Sequence, residues 1–228
     1  MLVNSSVLRI GAVPISAALS IKAIETRYRG RRFRSRLEAK FAVFLDSLGW
    51  SWSYEDEGFD LPKTGYYLPD FLILSNDAGL PSPFWVEVKG SNPSIEEVNK
   101  LRELACRSGR HSYFFVGTQH KASYTPNAPY FPRPVVTLQN LAETRDLLGY
   151  EFPASCLFQH HQPPLKEFIP FEKQREAMLK RLPSEREEFD RQIEDLWMAG
   201  WGGDLAIERV VRAAMAALSA RFEFGEQG

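Results

Sequence analysis

Two short apolar runs limit the possible folds of this chain more than any other feature. They are YYLPDFLIL (66–74) and FWVEVK (84–89), and each carries charged groups where a strand inside a sheet ordinarily has none. Both have the length and aromatic or branched content of strands, and the short polar SNDAGLPSP between them implies an antiparallel hairpin. A helix is predicted next, because Ser94 with Glu97 three residues on makes a capping box, Ile95, Val98, Leu101, Leu104 and Ala105 recur at helical spacing, and Gly109 closes the run. HSYFFVGT (111–118) reads as a buried strand. Upstream, RSRLEAKFAVFLDSL (34–48) sets Leu37, Phe41, Phe44, Leu45 and Leu48 on one helical face that Gly49 terminates, and residues 50–61 read as a short strand and turn. Helix, three strands, helix, strand is an α/β (α+β) pattern, a central mixed sheet flanked by helices.

The remaining segments are predicted as attachments to that core. Residues 1–24 are mildly apolar but interrupted by Arg9, Pro14 and Lys22, and no run reaches membrane-spanning length, so they read as a poorly packed extension without a membrane role. The main domain is expected over 25–150: residues 119–134 form a proline-rich loop, 135–138 a strand and 140–149 a helix. Residues 151–164, ending in Pro163 and Pro164, read as a linker to a helical C-terminal module (165–228). That module has helical segments at 170–182 and 184–198 and a last helix to about 222, capped by Asp204. It is expected to pack or to serve as a contact for a second copy or a partner protein. Two cysteines, Cys106 and Cys156, make no disulfide framework, and a reducing cytoplasm is the expected compartment. Cys156 with His160 and His161 lacks the fourth ligand and spacing of a zinc site, and His111 and His120 read as structural or surface groups.

The net charge of −1 points to no partner by itself, but its distribution is uneven. Residues 1–40 hold nine basic and two acidic side chains, a net +7. Six arginines fall within RYRGRRFRSR (27–36): Arg27, Arg29, Arg31, Arg32, Arg34 and Arg36, interleaved with Tyr28 and Phe33. Such a segment suits phosphate contacts through the guanidinium groups and stacking through the rings, so DNA is the expected partner, held by its backbone without base-specific readout. The alternative is a solvated basic stretch that offsets the acidic remainder.

Strand parity places Asp70 on one face of its strand, and Glu87 and Lys89 together on one face of theirs. A separation of 17 positions fits a hairpin that sets Asp70 beside Glu87. Two carboxylates crowded in partly dry surroundings repel unless a cation lies between them, and magnesium, which takes carboxylate, carbonyl and water oxygens, suits the pair. The Val88 carbonyl between Glu87 and Lys89 is a further candidate ligand, and Lys89 is placed to orient a nucleophile and stabilise developing charge. Glu38 lies on the core-facing stripe of its helix with Phe41, Ala42 and Leu45, a costly place for a carboxylate without compensation. The competing explanations are a cross-strand salt bridge for Asp70, Glu87 and Lys89, and a pairing with Lys40 or Arg34 for Glu38.

With Pro69-Asp70, Glu87-Val88-Lys89 and an upstream helical Glu38 in place, the chain resembles the PD-(D/E)XK nuclease superfamily, which includes restriction enzymes, Holliday junction resolvases and transposon-end endonucleases. The resemblance spans roughly residues 21–118 and is similar to that of small phage and bacterial proteins of this type. It implies a restriction-endonuclease-like αβββαβ core and magnesium-dependent DNA endonuclease activity, with manganese able to substitute. It also implies metal ligation by Glu38, Asp70 and Glu87, beside the candidate Val88 carbonyl, a catalytic role for Lys89, and a bacterial or phage-infected host cell. The rival expectations are a catalytically silent DNA-binding or assembly subunit, and action on RNA.

Overall fold

The computed structural model describes residues 25–117, 151–153, 159–162, 164, 166–179 and 204–222. The expected segments at 1–24, 119–134, 135–138, 140–149 and 184–198 lie outside these residues, as do Cys156 and His120.

The chain opens with strands β1 (Thr26–Tyr28) and β2 (Arg31–Phe33), an antiparallel hairpin turned at Arg29 and Gly30. Both turn residues have positive φ, 47° and 75°, the mirror-image turn whose twist matches that of the strands. Helix α1 (Arg36–Leu48) starts at Ser35, whose hydroxyl accepts from the Glu38 amide, and ends at Gly49 with φ 75°. Strand β3 (Ser51–Tyr54) follows, then a small hairpin of β4 (Phe59–Leu61) and β5 (Gly65–Tyr67), then β6 (Phe71–Ser75) and β7 (Phe84–Lys89). The single strand expected over 66–74 is therefore two elements. Pro69 supplies no amide for a continuous ladder, so Tyr66 and Tyr67 pair with β4, and β6 begins only after Asp70. Helix α2 (Ile95–Ser108) carries the complete Ser94–Glu97 capping box, and β8 (Ser112–Val116) is buried along its whole length.

Strands β9 (Glu151–Pro153) and β10 (Gln159–Gln162) occupy positions where a linker was expected. Strand β10 completes the central sheet, whose order is β10-β8-β7-β6-β3. It is mixed: β7 and β8 run parallel, and the other neighbouring pairs run antiparallel. Residues 170–182 yield helix α3 (Phe171–Leu179). Asp204 is not a helix cap. It lies opposite Pro153 in β11 (Asp204–Ala206), and α4 (Ile207–Ser219) starts from Ala206 with no side-chain cap bond.

The sheet separates two cores. Phe71, Ile73, Val86, Val88, Tyr113 and Phe115 face α1, where Phe41 packs on Phe115 with ring centroids 4.4 Å apart. Trp85, Phe114 and Val116 face α2 and meet Val98, Leu101 and Leu104. Helix α1 is buried on a second side as well, because Val210, Ala213, Ala214 and Ala217 of α4 belong to the same core as Ala39 and Val43. That is why α1 buries more than the Leu37–Leu48 stripe. The C-terminal helix thus belongs to the main hydrophobic core and is not a separate module.

Candidate active site

The register of β6 and β7 decides where the charged groups fall. Phe71 pairs with Val86 and Leu72 with Trp85, so continuing the register by one residue sets Asp70 opposite Glu87. Asp70 stands where β6 begins and is almost wholly enclosed, 2% exposed. Its Oδ2 accepts the Val88 amide at 2.8 Å. In a strand the amide and carbonyl of one residue point to the same edge, so the Val88 carbonyl also faces the side on which Asp70 lies. Glu87 and Lys89 lie on the α2 side of the sheet with Trp85, as parity predicted.

Glu87 is 6% exposed, and its Oε1 takes the Lys89 ammonium at 3.0 Å. Its Oε2 is enclosed without a well-formed hydrogen bond, although the Tyr67 hydroxyl approaches the same carboxylate. Lys89 spans to α2, meeting Glu97 Oε1 at 2.7 Å while Glu97 Oε2 accepts the Ser94 amide at 2.7 Å. Burial disfavours the ammonium, but Glu87 and Glu97 outweigh it and the Lys89 pKa is raised. Lys89 therefore stays cationic at neutral pH.

Glu38 reaches the site from the first turn of α1, and its burial is compensated. Tyr54 donates its hydroxyl to Oε2, the Arg34 amide donates to Oε2 at 3.1 Å, and the Ser35 hydroxyl donates to Oε1 at 2.7 Å. The expected partner Arg34 is present, but through its backbone amide. The Arg34 side chain goes elsewhere: Nη2 meets Asp70 Oδ1 at 2.5 Å, and Nε pairs with Glu55.

The electrostatics of Asp70 record this crowding. Its pKa is raised well above its ordinary value, first by burial and then by Glu87 and Glu38, with the Val88 amide and Arg34 opposing. Burial likewise pushes Glu55 up, Arg34 opposing. Tyr67 is raised by burial and by the Glu87 and Asp70 charges. An excess of negative charge, an enclosed Glu87 oxygen without a well-formed hydrogen bond and an all-oxygen donor set fit a small divalent cation. Asp70 and Glu87, with the Val88 carbonyl, are the residues best placed to hold one. Among the described residues no three acidic, histidine or cysteine side chains stand as a ready ligand group, and Glu38 is committed to the start of α1.

Of the basic segment, the hairpin alternation turns the paired Arg27 and Arg32 outward, while Arg29 is exposed in the turn, Arg31 is exposed on the face of Tyr28 and Phe33, and Arg34 and Arg36 are also exposed. Tyr28 and Phe33 face the core, 7% and 0% exposed, and are unavailable for stacking on bases. The Phe33 and Tyr54 ring centroids are 4.5 Å apart, and Tyr28 donates to Asp46; burial first, then Asp46, raises the Tyr28 pKa to about 12. Arg29 pairs with Asp46, Arg32 with Glu25, and Arg31 lies over the Trp52 ring.

Sequence reasoning missed Tyr54, Tyr67 and Glu55, and it took Glu97 only as a helix cap. The aromatic alternation of Trp50, Trp52 and Tyr54 was the available signal for Tyr54. No helix of the described residues is long and apolar enough to cross a membrane. No family model, curated protein or solved structure matches the chain.

Proposed function

We propose that this protein is a magnesium-dependent endonuclease that hydrolyses DNA phosphodiester bonds on a restriction-endonuclease-like core. The observation that carries the reading is the meeting, at one end of the sheet, of buried Asp70 and Glu87 with cationic Lys89. Asp70, Glu87 and the Val88 carbonyl would hold magnesium, with Glu38 adding negative charge from α1; manganese would substitute. When bound, the ion supplies Lewis acidity and a nucleophile at neutral pH. Lys89, held between Glu87 and Glu97, presents its ammonium where negative charge develops on the phosphate oxygens. The exposed arginines of 27–36 position the DNA backbone, without the ring stacking that Tyr28 and Phe33 were expected to supply.

Purified protein incubated with plasmid, linear, single-stranded and junction DNA, and with RNA, tests this in magnesium or manganese against chelator. Metal-dependent cleavage that Asp70→Ala abolishes, with folding and DNA affinity retained, is the expected result; cleavage unchanged in Asp70→Ala would end the proposal. One observation favours a second reading, a silent nuclease-fold subunit that binds DNA: Arg34 already occupies Asp70 Oδ1. That reading predicts salt-sensitive DNA retention and no metal-dependent product.

A further inference from the structure

Among the arginines of the basic segment, Arg34 alone reaches into the site. Its side chain is 55% exposed, yet Nη2 lies on Asp70 Oδ1 and Nε on Glu55, clamping a carboxylate that is only 3% exposed. Because Oδ2 is committed to the Val88 amide, Oδ1 is the Asp70 oxygen most open to a new ligand. The guanidinium therefore stands where a metal ion would draw on that carboxylate, and two cations held by one buried oxygen repel strongly. Arg34 is also built to leave. Its backbone amide is fixed by Glu38 and Tyr54, so the side chain can swing without disturbing the start of α1.

We propose, resting on the reading of Asp70 and Glu87 as metal ligands, that Arg34 is a competing internal cation that sets the divalent-ion affinity of the site. It acts through Asp70 and is a positioning residue: it keeps the carboxylate ordered and compensated, and it weakens metal binding by the same contact.

Binding of Mn2+ alone to the full chain, read from the free-ion electron paramagnetic resonance signal at neutral pH without nucleic acid, tests this. Arg34→Gln removes the charge while leaving the main-chain bonds of residue 34, and its circular dichroism checks folding. It should bind Mn2+ about tenfold more tightly than the parent, a factor within the usual range for coupled binding. Arg34→Lys keeps a positive charge and should stay closer to the parent; Lys as tight as Gln would overturn charge competition. Asp70→Asn separates the two levels. If it leaves parental Mn2+ binding intact, or if neither the parent nor Arg34→Gln binds Mn2+, the metal reading itself fails. If Asp70→Asn abolishes binding but Arg34→Gln binds no more tightly than the parent, only the competition is refuted.

Discussion

Asp70 is a buried carboxylate whose surroundings disfavour its charged form. Its pKa is raised above that of an unfolded aspartate, about 3.9, first by burial and then by Glu87 and Glu38. The folded protein therefore holds this proton more tightly than the unfolded chain does. The resulting stability is fully present below about pH 4 and is lost as pH rises through the raised folded value. In chelator, thermal denaturation should show parental stability falling relative to Asp70→Asn across that window, with the Asn variant the more stable at neutral pH. Parallel pH profiles would mean that the carboxylate is not crowded. Asp70, Glu87 and Lys89 were legible in the sequence because strand parity and a 17-residue separation fix them through the hairpin. Tyr54, Glu55 and Tyr67 were not, since their roles arise from β3 and the β4–β5 hairpin folding over the same sheet end, a tertiary proximity without a local pattern.

Elements with strong local signals were read closely, and those fixed by long-range pairing were not. The Ser94 cap and the left-handed glycines Gly49 and Gly109 were read from the sequence at the ends of α1 and α2, whereas Ser35, whose hydroxyl accepts the Glu38 amide at the start of α1, was missed. Strands β9, β10 and β11 are short and polar in part, and exist because partners remote in sequence supply their hydrogen bonds, so no periodicity announced them. The Tyr28 and Phe33 assignment failed for a related reason: spacing between arginines resembles a stacking surface until hairpin alternation turns both rings inward. The α2 cap also links an element to the site, because Glu97 serves both Ser94 and Lys89. Ser94→Ala should destabilise the protein by about 1 kcal/mol, seen as a lower urea midpoint at unchanged slope. An unaltered midpoint would show that the capping box contributes nothing.

At the scale of the whole molecule, α1 is held between the sheet and α4, so the position of Glu38 depends on residues more than 160 positions away. Arg209 of α4 ties in further through Asp77 and the Leu48 carbonyl. Val210→Asp would bury an unpaired charge in that core and should cost about 3 kcal/mol or more. Exposed Arg212→Asp on the same helix should stay within about 0.5 kcal/mol of the parent; equal effects in chemical denaturation would show that α4 does not dock as described. The proposed chemistry requires that chain-distant carboxylates share one hard cation at the end of this sheet. Anomalous diffraction from crystals soaked in Mn2+ tests it most directly. The expected result is a peak at ligand distance, roughly 2.0–2.3 Å, from oxygens of both Asp70 and Glu87, with the Arg34 guanidinium moved off Asp70. A peak elsewhere, or no peak beside these two side chains, would contradict it.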